Sequence, residues 1–404
     1  MEGTETEQFD AKAFVEKQVK EIKEAIGSER AVIAVSGGVD SSTCAVLTHL
    51  ALGRNLVCVI LDDAFMRLGE PEVVSEILSS PPLNLPMRIE RVQERFLNAL
   101  KGKRDAEEKR KAFREAFYRT LSEVAKREGS RYLVQGTILA DIIETRQGIK
   151  TQHNVLEQIG ISTYELYGFK VVEPLVALLK SQVREVARHL KIPREISERQ
   201  PFPGPGLSVR VVGEVRPDKL ATLKKATVIT EKNLAKHKPS QYFAAILDNE
   251  EKPLPSSLRK IEKTTSNVLD LKPEKASAKI FVDKATGIKG KTREYGGIAA
   301  LSCVKDGETY QPSLWQIMEL QKRIIEENPS VIRVLYTVSR EDRKQPYMIA
   351  VRAVNTIDFL TAQVASIPWS TLKETGDQIL KDCPDVSAVC YDITPKPPAT
   401  IEME

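Results

Sequence analysis

The residues from Ser36 to Ser42, Ser-Gly-Gly-Val-Asp-Ser-Ser, have types and spacing suited to chemistry. A glycine pair between a strand and a helix lets the backbone turn tightly and aim successive N–H groups at an anion. The helix that starts there adds its partial positive charge. Gly37, Gly38 and Val39 form the turn, and Ser36, Ser41 and Ser42 offer hydroxyl donors. The lysine of a Walker loop is missing, so the string suits a loop that grips pyrophosphate and leaves the α-phosphate open to attack. Asp40 is the natural Mg²⁺ ligand, because a hard cation prefers carboxylate and phosphate oxygens. The plainer alternative is a serine-capped turn with no ligand.

The elements around this loop must position it. Val15, Val19, Ile22 and Ile26 recur at helical spacing behind Asp10 as N-cap, with Gly27 where a C-cap belongs. An apolar strand from Ala31 to Val35 enters the loop, and an apolar helix to Leu52 leaves it. A second strand, Leu56 to Leu61, ends at Asp62-Asp63. Further strands are expected at Arg88 to Val92, Arg131 to Val134 and Val171 to Val172, with helices between them. That alternation predicts an α/β domain with a parallel sheet, whose ligand sites lie at the carboxyl ends of the strands. Between Leu100 and Leu121 runs a charge-dense segment with Phe113, Phe117 and Leu121 at helical spacing. It reads either as a solvated helix with one apolar edge or as a mobile lid. Asp141 and Glu144 stand one helical turn apart, as a second magnesium contact or as an exposed acidic helix start.

Arg199 to Leu207 holds three prolines and two glycines and breaks any regular element. The domain boundary is placed near it, giving residues 1–210 and 211–404. A helix is predicted from Asp218 to about Leu234, and the Lys/Pro/Ser-rich stretch to Lys279 reads as an insertion or long excursion. Beyond it, Pro329 to Val338 matches Pro384 to Ile393 at a constant offset of 55 residues. Each copy follows an amphipathic helix (Ile317 to Glu327; Leu372 to Asp382) that an apolar strand precedes. Two copies are too few for a solenoid. A duplicated strand–helix–strand module, about 286–339 and 341–394, in an α+β domain fits better.

The chain has 404 residues, 41% apolar and 29% charged, which is ordinary for a globular protein. Its longest apolar run, Leu56 to Leu61, is far below the ~20 residues that span a bilayer, and Met1 to Gln8 is too polar for a signal peptide. Five cysteines with no C-x-x-C pair suggest neither a zinc site nor a disulfide framework. The expectation is a cytoplasmic protein with no membrane and no nucleic acid partner. A net charge of +4 suits small anionic substrates.

The Ser36–Ser42 string resembles the signature of the ATP-pyrophosphatase (PP-loop) superfamily. Within it the chain is similar to the synthetase part of GMP synthase, the glutamine-hydrolysing xanthosine-monophosphate amidase. The resemblance rests on the loop, on Glu107-Glu108-Lys109-Arg110-Lys111, and on Gln135-Gly136-Thr137 with Asp141 and Glu144. It continues through Ile149 to Asn154, Glu173-Pro174-Leu175, Pro201 to Leu207, and Lys396-Pro397-Pro398-Ala399-Thr400-Ile401-Glu402. It implies ATP on Ser36 to Ser42 and on Gln135, Gly136 and Thr137, with Mg²⁺ on Asp40 and Asp141. Xanthosine monophosphate (XMP) is expected on Arg110, Arg293, Lys396, Ile401 and Glu402. His153 is either a substrate contact or structural. The family's usual strings differ at Asp63 to Arg67, Gln152, Lys291 and Met403.

What the resemblance implies is adenylation of the purine C2 oxygen of XMP, then amination by ammonia to GMP, AMP and pyrophosphate. None of the five cysteines is flanked by glycines, as a glutaminase nucleophile would be. Ammonia is therefore expected from a separate glutamine amidotransferase subunit or from solution. The duplicated module resembles the extension of eukaryotic-type members, in which a second copy stands in for a partner subunit, so a monomer is favoured over a homodimer. Two alternatives stay open: a relative that adenylates another carbonyl or accepts sulfur, and a non-catalytic nucleotide-binding subunit.

Overall fold

The computed structural model describes residues 9–146, 162–290, 292–357 and 360–404. Ile149 to Asn154, with His153, and Lys291 lie outside the described residues, as does the side chain of Glu144. The chain divides into two units, one of residues 1–99 and 112–204 and the other of residues 100–111 and 205–404.

In the first unit β1 (Ala31–Ala34), β2 (Leu56–Asp62), β3 (Met87–Arg91), β4 (Tyr132–Val134) and β5 (Lys170–Val172) form one parallel sheet. Its order is β3-β2-β1-β4-β5. The strands expected from sequence are all there. β2 is buried along its whole length, as a central parallel strand with both faces covered must be. β1 shows why: Ala31 and Ile33 pack into the cluster built by the helices Ala11–Ile26, Val39–Leu52 and Lys180–His189. Val32 packs on the opposite side with Tyr118, Leu121 and Val124 of the helix Ala106–Arg127. Asp10 caps the opening helix, accepting from Lys12 and Ala13 N–H. No helix of the described residues is long and apolar enough to cross a membrane.

The charge-dense segment is the helix Ala106–Arg127, and the solvated reading fails at Lys109. Lys109 is 1% exposed, and its ammonium donates to the carbonyls of Val211 (2.7 Å) and Gly213 (2.9 Å) and pairs with Glu404.

The second unit holds a mixed sheet of β6 (Gln241–Asp248), β7 (Ala276–Lys289), β8 (Thr292–Lys305), β9 (Glu308–Thr309), β10 (Val331–Arg340), β11 (Tyr347–Asn355), β12 (Gln363–Val364) and β13 (Val386–Asp392). The path is β12-β11-β13-β10-β8-β7, with β6 also on β11 and β9 on β8. The stretch read as an excursion is structured. It contributes β6, antiparallel to β11 over eight residues, then the helix Pro255–Leu269 and the start of β7. Its pattern was weak because Thr-Thr-Ser-Asn is poor helix sequence and because β6 pairs with a strand a hundred residues later.

Two parallel crossovers run through this sheet, β8 to β10 by the helix Leu314–Glu327 and β11 to β13 by the helix Trp369–Asp382. The helices begin at 314 and 369 and end at 327 and 382, the offset of 55 again. β10 and β13 pair antiparallel with Tyr336 opposite Tyr391, residues that are themselves 55 apart.

Candidate functional site

The anion loop sits between β1 and the helix Val39–Leu52, and its geometry follows from its glycines. Gly37 has φ +76°, and a Cβ there would lie 2.5 Å from Val74, so no other residue fits. Gly38 is the N-cap and offers no side chain, so the first N–H groups of the helix have no capping partner from it. Ser36 and Ser41 share a hydrogen bond of 3.1 Å, and Ser41 Oγ accepts from Ser36 N–H and donates to Gly38 O. Val39 is buried and leaves its backbone to the loop. Ser42 was expected as a third hydroxyl donor; it is completely buried, so a ligand reaching the loop from solvent does not meet it.

Gln135-Gly136-Thr137 follows β4 and closes on the loop. A Cβ on Gly136 would come within 2.9 Å of Asp40 C and 3.0 Å of Ser41 N, so the two backbones are in contact only because this residue is glycine. Gln135 differs from expectation: its amide donates to Tyr118 Oη at 3.0 Å and its carbonyl accepts from Cys44. Thr137 is completely buried. Gly136→Ala is therefore expected to push the loop aside and raise the KM for ATP by about 10–100-fold, since misplacement by an ångström costs on that order. Steady-state kinetics with XMP held saturating, beside a thermal melt that should stay near that of the unaltered chain, checks it.

Asp40 opens the helix and is ion-paired to Lys180 at 2.5 Å. Burial raises its pKa; Lys180 opposes the rise and the nearby Asp141 carboxylate adds to it. Its Oδ1 is buried with no hydrogen-bond partner among the described residues. Asp141 accepts from Ile138 N–H at 3.0 Å at the start of the helix Leu139–Arg146. Two mutually repelling carboxylates, one with an orphaned oxygen, fit a divalent hard cation. No group of three or more acidic, histidine or cysteine ligands occurs among the described residues. Mg²⁺ takes one or two carboxylates and completes its shell with water and phosphates.

In the second unit the C-terminal tail lies on the β7–β8 hairpin. Ile288 N–H donates to Pro398 O (2.6 Å), Thr286 N–H to Met403 O (2.9 Å), and Lys396 and Ala362 exchange backbone bonds. Arg293 pairs with Ile288 across the hairpin. Ile401 packs on the core cluster that Met403 enters. Both oxygens of Glu402 receive Arg210, at 2.8 and 2.9 Å, and that guanidinium lies 4.0 Å above the Phe243 ring. Arg110 meets Glu107 at 3.4 Å. Burial pushes the Tyr295 hydroxyl up; the neighbouring Thr286 and Arg110 oppose the rise and Glu404 adds to it. A cavity of about 310 Å³ opens beside the hairpin, lined by Ile288, Lys289, Glu294, Ile332 and Pro398 among others. None of the expected nucleotide contacts lines it, so it is not taken as the nucleotide site.

The family model for the PP-loop domain matches residues 11–195, and that for the GMP synthase C terminal domain matches residues 337–403. A subunit of glutamine-hydrolyzing GMP synthase from Sulfurisphaera tokodaii is 44% identical over 396 residues, covering 98% of this chain and all of that protein. The corresponding subunits from Saccharolobus solfataricus and Methanopyrus kandleri are 42% and 40% identical, again over 98% of this chain and all of theirs. The chain belongs to this family of GMP synthase subunits.

For a GMP synthase, several groups that build these surfaces were not singled out from sequence. Lys180 and Arg184 are the clearest. Both act on Asp40 electrostatically, and they stand at the first and fifth positions of the helix Lys180–His189, whose first turn carries no acid, although a helix N-terminus disfavours cations. That mismatch was the available signal. Lys109 and Arg210 gave none, because each looks like any surface cation until its buried partner is known. The PP-loop domain of the family implies ATP as the ligand of the first surface.

Proposed function

We propose that this chain converts XMP to GMP with ATP, as the synthetase component of a two-subunit GMP synthase in the cytoplasm. The β,γ-phosphates of ATP rest on the N–H groups of Gly37 to Ser41, the Ser36 and Ser41 hydroxyls and the open helix end. Lys180, paired with Asp40 at the loop, would supply a cation to the phosphates. Asp40 and Asp141 hold Mg²⁺, which when bound neutralises phosphate charge. Arg110, Arg293 and Lys396 carry cations to the nucleotide, Ile401 gives an apolar contact, and Glu402, aimed by Arg210, faces the purine or ribose. The C2 oxygen of XMP attacks the α-phosphorus and pyrophosphate leaves. Ammonia then adds at C2, AMP departs with the oxygen, and a proton is lost. The protein contributes positioning and fixed charge.

The observation that carries this reading is the uncapped helix end at Gly38 with the orphaned Asp40 oxygen beside it. The relatives are each named as one subunit of a glutamine-hydrolyzing enzyme, which supports a separate glutaminase subunit as the ammonia source. We also read the second unit as a duplicated module, supported by the 55-residue offset and the Tyr336–Tyr391 pairing, and the chain as a monomer, whose mass light scattering reads directly. A sulfur-transfer reading is disfavoured: Cys44 and Cys58 are buried and burial pushes both thiols up, Cys58 to about 12, the reverse of an activated thiolate.

The test is AMP and pyrophosphate release from Mg·ATP with ammonium and one purine nucleotide at a time. XMP is expected to stimulate both products in equal amounts. If no purine nucleotide stimulates AMP formation, the reading is wrong.

A further inference from the structure

The rare string from Arg199 to Leu207 has no part in the reaction described above, yet its first residue lies against the anion loop. A Cβ built on Gly37 would stand 3.5 Å from Arg199 Nη1. The other nitrogen, Nη2, is held at 2.5 Å by Glu70, whose carboxylate is buried while the Arg199 side chain is 25% exposed. The same Glu70 accepts from Arg67 N–H at 2.7 Å and from its guanidinium at 3.2 Å. That guanidinium in turn lies 4.1 Å above the ring of Phe202, three residues beyond Arg199. The contacts therefore close a ring, Arg199–Glu70–Arg67–Phe202, that ties Arg199 to Phe202 down beside the phosphate loop.

We infer that Arg199 contacts the diphosphate half of the bound nucleotide and that this contact fastens the segment Arg199–Gly204. A guanidinium presents two N–H pairs in a fixed plane. One edge is clamped by a buried carboxylate, which orients the other edge towards Gly37, where the loop N–H groups gather. Phosphate on that edge restrains Arg199 from both sides and, through the shared Glu70, the segment that follows. The inference rests on the proposed role of the loop.

Titration of the full chain with inorganic pyrophosphate and Mg²⁺ tests it, by calorimetry and by hydrogen exchange at Gln200, Phe202 and Gly204. Arg199→Ala is expected to weaken pyrophosphate binding by about 10–100-fold, the usual loss for a charge-assisted pair, and Arg199→Lys to recover part of it. Pyrophosphate is expected to slow exchange at the three amides in the unaltered chain and not in Arg199→Ala. Should that variant be unstable, Arg199→Gln, which keeps a donor for Glu70, serves in its place. Affinity within twofold of the unaltered chain would overturn the inference and leave the loop's role standing. No pyrophosphate binding by the unaltered chain would instead remove the role on which it rests.

Discussion

Asp40→Asn is expected to slow XMP-dependent AMP formation by about 10³-fold, the scale seen when a group that stabilises transition-state charge is lost. Asparagine keeps the shape and can still accept from Lys180, but it brings no charge to a cation. The fold should not suffer. Burial raises the folded pKa of this carboxyl, so its ionised form is disfavoured in the folded chain; by linkage the associated stability is highest at low pH and is lost as pH rises through the folded pKa. At neutral pH the neutral amide removes that cost, and the melting temperature is expected to stay level or rise. Activity at saturating Mg²⁺ and a thermal melt give both readings. An activity within tenfold of the unaltered chain would exclude Asp40 as the metal ligand.

Asp392→Asn is expected to cost the second unit about 3–5 kcal/mol. The Asp392 carboxylate is completely buried between Arg333 at 2.6 Å and Arg352 at 2.8 Å, both also completely buried. Burial alone would push its pKa up; the two arginines win and hold it below the ordinary carboxylate range. Without that charge two guanidinium groups share the interior with no anion between them. They also hold the tail: Arg333 donates to the carbonyls of Thr400 and Glu402, and Arg352 to those of Thr394 and Thr400. The KM for XMP should therefore rise while the KM for ATP stays near its original value. Urea unfolding and the pair of KM values check this. A loss under about 1 kcal/mol with both KM values unchanged would mean the arginines find other partners.

These two residues also mark what the sequence could tell. The Ser36–Ser42 loop was legible because its chemistry is local: two glycines, a cap position and an acid at the helix start fit within seven residues. The parallel sheet was legible for a similar reason, since a strand covered on both faces must be apolar throughout. Asp392 carried no such mark. It looks like the polar end of a strand, and only the placing of β10 and β11 on either side of β13 shows that two arginines converge there. Lys109 and Glu404 are nearly three hundred residues apart, and a buried ion pair leaves no periodicity. Gln135 shows the same limit: that its side chain meets Tyr118 while the glycine beside it makes the close approach to the loop is visible only in the fold. Helix ends and turns are written nearby; charge pairs across a fold are written in two places that a single pass along the chain does not join.

The seam between β10 and β13, with Tyr336 facing Tyr391, joins the two copies that we infer through backbone ladder bonds inside one polypeptide. Contact between separate subunits weakens as they are diluted, whereas a covalently tethered pair has a fixed effective concentration. If the chain is the monomer we propose, the tail and the hairpin beneath it keep their support at nanomolar enzyme as at micromolar, and the specific activity with ammonium is expected not to fall with dilution.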